Sequence, residues 1–238
     1  MKEVDKKYGE RNLRNLRKFY VLFKNNNIWN AMRSKLIWTH YRELLRLNDI
    51  SEINYYIDIS IKQNLSYRQL HDKIKSNEYE RLDDKTKNKL IMKEETSIED
   101  FIKNPVIIKK TLGIEEISEK VLKTLILEDI DNFLKELGEG FCYIEHEYKI
   151  KYEEKYNYID LLLFNYIYNA FVVVELKVTE LKKEHIGQLG IYMKYIDKNI
   201  RKFNQEDTIG IIICKRDNSF VVEYSSNPNI FRTIYKVK

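Results

Sequence analysis

The stretch YIDLLLFNYIYNAFVVVELKV, residues Tyr158–Val178, decides the fold. It contains two apolar runs, each of strand length and rich in branched and aromatic side chains, and a short aromatic and polar segment separates them. This pattern predicts a β-hairpin. If the chain turns over residues 166–169, the hairpin register sets Asp160 directly opposite Glu175, with about 5 Å between their Cβ atoms.

The two carboxylates interrupt strands that are otherwise apolar, and Lys177 shares the face of Glu175 because side chains alternate along a strand. Burying an ionised carboxylate is costly unless a partner compensates it. Mg²⁺ or Mn²⁺ would do so, and would activate a bound water and stabilise charge on a phosphoryl group. Lys177 would then orient that water or stabilise the transition state. The competing interpretation is a structural ion pair between Lys177 and one of the acids.

The helices on either side of this hairpin carry further candidates. The helix predicted at about 181–200 has a polar and aromatic stripe at helical spacing, formed by His185, Gln188, Tyr192, Tyr195 and Asn199. A glutamine beside a metal site can hold a water or a phosphate, whereas a partly exposed helix explains the stripe without any function. On the preceding predicted helix, 116–137, Glu128 or Asp129 is a candidate to reach the metal, and the alternative is that they are solvated.

The order of elements in the second half of the chain predicts an α/β fold. Strands are predicted at 141–152, 158–165, 170–178 and 208–214, and the helices 116–137 and 181–200 flank them. Strands that are apolar over nearly their whole length are typical of a central sheet with helices on both faces.

The first half of the chain is basic and helical. Residues 1–90 contain 20 Lys and Arg against 12 Asp and Glu, a net charge of +8, so the rest of the chain carries −3 of the total +5. A basic surface favours a polyanion such as DNA, although it is also compatible with solubility alone. A first amphipathic helix is predicted over 10–23, where Arg11 and Arg14 belong to the basic face and Leu13, Leu16, Tyr20 and Phe23 to the apolar face.

Two further helix-start signals follow a helix predicted over 28–47, which would bury Trp29 and Met32 among others. Ser51 is the predicted cap of one helix, and Ser66 caps another, with Gln69 completing a capping box. The turn between them, at Asn64 and Leu65, is typical of a helix-turn-helix. The second helix would then present a DNA-binding face that consists of Tyr67, Arg68, His71 and Lys75. Any capped helical hairpin would look the same.

These patterns predict a basic helical domain at 1–90, a linker at 91–115 and a catalytic domain at 116–238. The two cysteines, Cys142 and Cys214, form neither a disulfide framework nor a zinc signature. Without a bilayer-spanning apolar run or a signal-like start, the expected location is the cytoplasm and no membrane partner is expected.

The whole chain resembles the bacterial YhcG-like proteins, which combine an N-terminal helical, winged-helix-like domain with a C-terminal PDDEXK nuclease domain. The matching stretches are ERNLRNLRKFY, IWTHYRELLRL, LSYRQLHDKIKSNEYERL, FLKELGEGF, YIDLLLF, VVVELKVTELKKEHIGQLGIYMKYID and IGIIICK. The resemblance implies a restriction-endonuclease-like α/β/α domain with a central mixed sheet. It also implies that Asp160, Glu175 and Lys177 are the nuclease motif and that Gln188 and Tyr192 are its Gln-x-x-x-Tyr element.

The chain departs from the pattern of that family at two places. Ile159 replaces the proline of the motif, and His146–Glu147 stand where an Arg–Gln pair is expected.

From the two acids, the lysine and the resemblance together, we expect a Mg²⁺-dependent endonuclease, with Mn²⁺ as an alternative ion. The resemblance implies that it acts on DNA in restriction or mobile-element defence. The alternatives are an inactive DNA-binding component and a protein-interaction component of a defence complex. A homodimer is compatible with double-strand cleavage, although no residue pattern requires one.

Overall fold

The computed structural model describes most of the chain, namely residues 9–24, 35–92, 102–110, 116–152, 154–218 and 227–238 with the single residues Glu94, Ser97, Asp100 and Val221. These residues form two compact units. The first contains the described residues up to Arg81 and Lys87–Glu94, and the second contains Leu82–Thr86 and the described residues after Glu94. No described helix is both long enough and apolar enough to cross a bilayer.

The described helices in the first 92 residues are α1 (Glu10–Phe23), α2 (Trp38–Leu44), α3 (Ile50–Lys62), α4 (Tyr67–Lys75), a 3-10 turn (Tyr79–Arg81) and α5 (Asp84–Met92). The capping box predicted for α4 is confirmed, because Ser66 Oγ accepts from the Gln69 backbone N–H and Gln69 Oε1 accepts from the Ser66 backbone N–H. The cap of α3 differs from the prediction, since Asp49 takes that place and accepts from the Ser51 N–H at 2.9 Å. Asn64, with a φ of 49°, forms the predicted turn between them.

Helix α1 buries a different face from the predicted one. Leu13, Leu16 and Tyr20 are exposed, whereas Phe23 is buried. The ring of Phe19 packs edge-on against Tyr41, with 5.0 Å between the ring centroids. The sequence offers apolar residues on more than one side of this helix, and the aromatic cluster with α2 determines which side is covered.

Within the described residues 35–47, only Trp38–Leu44 of the helix predicted over 28–47 is helical. Ile37 is extended, with φ −98° and ψ 165°, so α2 begins only at Trp38. The predicted core residues Trp29 and Met32 lie outside the described residues.

The second unit is a six-stranded mixed sheet of order β1-β6-β5-β4-β3-β2. Its strands are β1 (Val106–Ile108), β2 (Phe141–Tyr152), β3 (Lys155–Asn165), β4 (Ala170–Glu180), β5 (Glu206–Arg216) and β6 (Ile230–Val237). Strands β2, β3 and β4 are antiparallel neighbours, and the other neighbouring pairs are parallel. Strand β1 lies within the stretch predicted as a linker. The sequence does not predict this strand, because a three-residue apolar run is too short to show a period. The division into domains stays a prediction.

Helices cover both faces of the sheet, as the sequence predicts. The helices whose bounds are described in this unit are α6 (Glu119–Glu128), α7 (Ile130–Leu137) and α8 (Lys183–Asn199). Val172 and Val174 of β4 pack with residues of α6 and α7, and Val173 between them packs with residues of α8. This alternation of buried side chains explains why β4 is apolar over nearly its whole length.

The helix predicted over 116–137 is broken at Asp129, whose backbone is not helical (φ −131°, ψ 47°). The Asp129 carboxylate accepts from the Asn132 side chain at 2.6 Å and 2.7 Å. Asp and Asn side chains commonly form such local hydrogen bonds, which compete with helix continuation. The chain therefore forms α6 and α7 in place of one long helix.

Two local features fix the hairpin and the helix behind it. The buried Asn165 closes the β3–β4 turn, because its Oδ1 accepts from the backbone N–H of Ile167 at 3.0 Å. Gly210 of β5 lets α8 approach the sheet, since a Cβ atom at that position would lie 2.7 Å from both Leu189 Cδ2 and Met193 Sδ. The glycine therefore sets how closely α8 lies on the sheet.

Candidate active site

The β3–β4 hairpin brings Asp160 and Glu175 to the same end of the sheet. The predicted register is confirmed over five pairs, from Asn165↔Ala170 to Leu161↔Val174. The β3–β4 ladder ends there, one residue before the two acids. Asp160 Oδ2 accepts from the Leu176 backbone N–H at 2.9 Å, so the Asp160 carboxylate bridges the point where the two strands separate.

Glu175 is an acid in an apolar setting. It is 2% exposed, and its Oε2 atom finds no hydrogen-bond partner among the described residues. Burial and, next, the negative charge of Asp160 raise the pKa of Glu175 from 4.5 to about 7, against the opposing effect of the hydrogen bond and charge of Lys177. The two carboxylates are therefore close enough to repel each other, and one buried oxygen remains unsatisfied.

Lys177 lies between two acids. Its Nζ atom is 2.8 Å from Glu175 Oε1 and 3.9 Å from Glu119 Oε1. Burial alone would lower the pKa of Lys177, but the hydrogen bond and charge of Glu175 outweigh it, so the pKa is raised. Lys177 therefore carries a positive charge at neutral pH.

A second lysine, Lys123 of α6, reaches Asp160. Its Nζ atom is 2.8 Å from Asp160 Oδ1 and 3.2 Å from Glu147 Oε1. Burial would lower the pKa of Lys123, and the hydrogen bonds and charges of those two acids raise it overall. Glu147 has a φ of 52° within β2, a conformation that is unusual for a non-glycine residue in a strand.

Lys123 and Glu119 are not predicted from the sequence, because they belong to α6, which is distant in sequence from Asp160. Glu147 is noted there only as a departure from the family pattern. The available signal is that Lys123 is a charged residue next to the buried Leu122 on a helix predicted to cover the sheet. The acids predicted as candidates on that helix are Glu128 and Asp129, but the acid that approaches the site is Glu119. Asp129 pairs with Lys109 at 3.1 Å and Glu128 is exposed, whereas Glu119 lies near Lys177.

Helix α8 contributes two of the predicted residues. Gln188 Nε2 donates to the Tyr192 hydroxyl at 2.6 Å, and Tyr192 is buried. Burial raises the pKa of Tyr192, and the charge of Glu175 contributes to the rise, against the hydrogen bond from Gln188. His185 instead accepts from the backbone N–H of Lys182 at 3.1 Å, so it supports the start of the helix.

His146 of β2 lies in an exposed pair with Tyr143. Its Nδ1 atom is 2.6 Å from the Tyr143 hydroxyl. Of the two residues that depart from the expected Arg–Gln pair, Glu147 therefore contacts the site through Lys123, and His146 contacts the neighbouring tyrosine.

The predicted DNA-binding residues belong to the first unit. Arg11, Arg68 and Lys75 are exposed, and the exposed Arg14 pairs with Glu10 one turn earlier in α1. DNA contact by these four residues stays a prediction.

Tyr67 and His71, predicted to lie on the same DNA-binding face, bind the buried Glu43 through hydrogen bonds of 3.2 Å and 2.9 Å. Since these two side chains hold α4 to α2, they are less available to a groove of DNA.

Family models match almost the whole chain. The YhcG PDDEXK nuclease domain matches residues 99–236, and the DUF1016 N-terminal domain matches residues 1–81. The protein described as "Putative nuclease YhcG" from Escherichia coli (strain K12) is 22% identical to this chain over 253 residues. That alignment covers 92% of this chain and 68% of the Escherichia coli protein.

Two solved structures resemble part of the chain. A repair endonuclease from Pyrococcus abyssi is 20% identical with a TM-score of 0.35, and the match covers 50% of this chain and 47% of that one. EndoMS in a complex with dsDNA is 17% identical with a TM-score of 0.39, and the match covers 52% of this chain and 48% of that one. The chain thus spans about half the length of these structures.

Proposed function

This chain belongs to the YhcG PDDEXK nuclease family, and on that premise we propose that it is a Mg²⁺-dependent endonuclease that hydrolyses phosphodiester bonds in DNA. The observation that carries the proposal is the unsatisfied buried Oε2 of Glu175 beside the carboxylate of Asp160. A buried carboxylate with an unsatisfied oxygen, next to a second negative charge, destabilises the metal-free protein. A divalent cation held by both acids would relieve the desolvation and the repulsion together.

The side chains present fit such an ion. Mg²⁺ is usually held by one or two carboxylates, and waters and substrate phosphates complete its octahedral coordination. Asp160 and Glu175 supply that number of carboxylates. Among the described residues, no group of three or more His, Cys, Asp or Glu side chains could hold a metal ion by itself. The donors are oxygen atoms, which favours Mg²⁺ or Mn²⁺ over softer metals.

The bound ion would supply an activated water and charge stabilisation at the phosphoryl group. Lys177 is protonated and partly buried beside Glu175, so it acts as a fixed positive charge that stabilises the developing negative charge of the phosphate. Gln188 is held by Tyr192, which orients its amide to bind a water or a phosphate oxygen. The two acids and these two residues are the site that we assign to cleavage.

Cleavage of supercoiled plasmid tests this proposal. The wild-type chain should nick or cut the plasmid with Mg²⁺ or Mn²⁺ and should not do so in EDTA. Glu175→Gln and Asp160→Asn should each lower the rate at least about 100-fold, as loss of a central catalytic group commonly does. Glu206→Gln is the matched control, because Glu206 is an exposed acid at the start of β5 and its loss should leave the rate unchanged.

Equal rates for wild type and Glu175→Gln would contradict the proposal. DNA binding without metal-dependent cleavage by the wild type would favour an inactive DNA-binding component, and absence of both would favour a protein-interaction component. A role in restriction or mobile-element defence rests on the resemblance to YhcG-like proteins and stays a prediction, as does a homodimer.

A further inference from the structure

The β2–β3 hairpin continues beyond the candidate active site as a two-stranded ribbon. The pairing of β3 with β4 ends at Leu161, whereas β3 stays paired with β2 as far as Lys155. Residues 155–160 of β3 and 147–152 of β2 therefore form an arm that begins at Asp160 and ends at the turn near Glu154.

The two faces of this arm differ in burial. Ile150 and Ile159 are fully buried in the cluster that includes α8. The residues that alternate with them belong to the other face, where Lys149 is paired with Tyr158 and Lys151 with Tyr156. All four of these side chains are exposed, and we call them the Tyr–Lys face.

The rings of the Tyr–Lys face are unusually open to solvent. Tyr156 is 58% exposed and Tyr158 is 52% exposed. The ammonium group of Lys149 lies 3.8 Å from the centroid of the Tyr156 ring, so a cation–π contact orders this part of the arm and places a positive charge beside the ring. The face is thus ordered and basic at its centre, with apolar ring surface still exposed.

The position of the face relates it to the site. Tyr158 is two residues from Asp160, and Tyr156 is four residues away, a distance of about 13 Å along the strand. That length corresponds to about four stacked nucleotides of one strand. A strand of DNA that has a phosphate at Asp160 and Glu175 can therefore follow the arm toward its turn.

We propose that the Tyr–Lys face binds unpaired nucleotides next to the scissile phosphate, so that the preferred substrate is DNA with a single-stranded segment. Tyrosine rings stack on unpaired bases irrespective of sequence, and lysines neutralise the phosphates between them. The bases of a perfect duplex are already stacked on each other and leave no ring surface for tyrosine. The choice of DNA as ligand rests on the proposed function.

Binding measured in EDTA tests the proposal separately from cleavage. Fluorescence anisotropy of a labelled single-stranded oligonucleotide and of the matching duplex gives the two dissociation constants for the full chain. The double variant Tyr156→Ala/Tyr158→Ala should bind the single strand at least about tenfold more weakly, with less than a twofold change for the duplex. Tyr156→Phe/Tyr158→Phe should restore the affinity, because the ring and not the hydroxyl makes the contact.

Two controls complete the experiment. Tyr166→Ala removes an equally exposed ring (66%) from the β3–β4 turn and should change neither constant. Lys149→Met/Lys151→Met should lower the slope of log affinity against log salt for the single strand by about 1.4, since each neutralised phosphate contributes about 0.7.

An unchanged affinity in the double alanine variant would overturn the proposal, as would an equal loss for single strand and duplex or a failure of phenylalanine to restore binding. No cleavage step enters the measurement. A wild-type chain that binds as expected but never cuts DNA would overturn the proposed nuclease function and leave the binding result standing.

Discussion

Replacing Glu175 by glutamine should change how the stability of the metal-free protein depends on pH. The pKa of Glu175 rises from 4.5 in the unfolded chain to about 7 in the folded protein, mainly through burial. The folded protein therefore binds more protons than the unfolded chain in this range, and stability falls as the pH rises. At about 1.4 kcal/mol for each pKa unit, the loss is about 3 kcal/mol, spread between about pH 4.5 and pH 7.

Glutamine keeps the shape of the side chain and cannot ionise, so Glu175→Gln should not show this loss. Urea denaturation in EDTA, followed by far-UV circular dichroism, gives the free energy of unfolding at each pH. Tryptophan fluorescence is unsuitable because both tryptophans, Trp29 and Trp38, lie in the N-terminal third of the chain. The difference between variant and wild type should increase by about 3 kcal/mol from pH 4.5 to pH 8.

Glu206→Gln removes an exposed carboxylate of β5 and is the control variant for this measurement. A constant difference between Glu175→Gln and wild type at every pH would refute the reasoning, because Glu175 would then ionise as freely in the folded protein as in the unfolded chain. A difference that decreases with pH would refute the assigned sign.

Two further predictions concern the binding of the metal ion, and a third concerns the packing of α8 on the sheet. The affinity for Mn²⁺, measured by calorimetry, should rise about tenfold from pH 6 to pH 8, because Glu175 has a pKa of about 7 and must lose its proton to bind the ion; an affinity independent of pH would contradict this. Lys123→Met should raise the affinity for Mn²⁺ by up to about fivefold, since its ammonium group lies 2.8 Å from Asp160 Oδ1 and a partly exposed ion pair is worth about 1 kcal/mol. Weaker binding would show that Lys123 supports the ion. Gly210→Ala should lower the free energy of unfolding by about 2 kcal/mol through overpacking against Leu189. Gly187→Ala is the control and should not lower it, because a Cβ atom there would meet nothing within 4 Å. Equal effects of the two variants in thermal denaturation would contradict the close approach of α8.

The parts of the fold that local patterns determine could be predicted from the sequence. The hairpin register follows from the turn and from the apolar runs, and the capping box of α4 follows from Ser66 and Gln69. The family follows from the motif residues between Tyr158 and Asp197, and the family models confirm it. Each of these predictions depends on residues that are close in sequence.

The rest depends on contacts between distant segments. Lys123 approaches Asp160 only because α6 packs on the sheet, and no local pattern gives the direction of a lysine on a helix. Strand β1 is recognisable only through its pairing with β6, more than 120 residues away. The break at Asp129 depends on a side-chain hydrogen bond with Asn132 that competes with an otherwise continuous apolar stripe.

The closed turn at Asn165 has a consequence for how related chains can diverge. A strand shifted by one residue exchanges its two faces, so a one-residue insertion or deletion between Asp160 and Glu175 would turn one of the acids away from the other. Within the turn, Tyr166 is exposed, whereas Tyr168 packs on the core and Asn169 has a φ of 50°. Homologous chains should therefore vary at Tyr166 but keep fifteen positions from the first acid to the second, with changes in length confined to other turns.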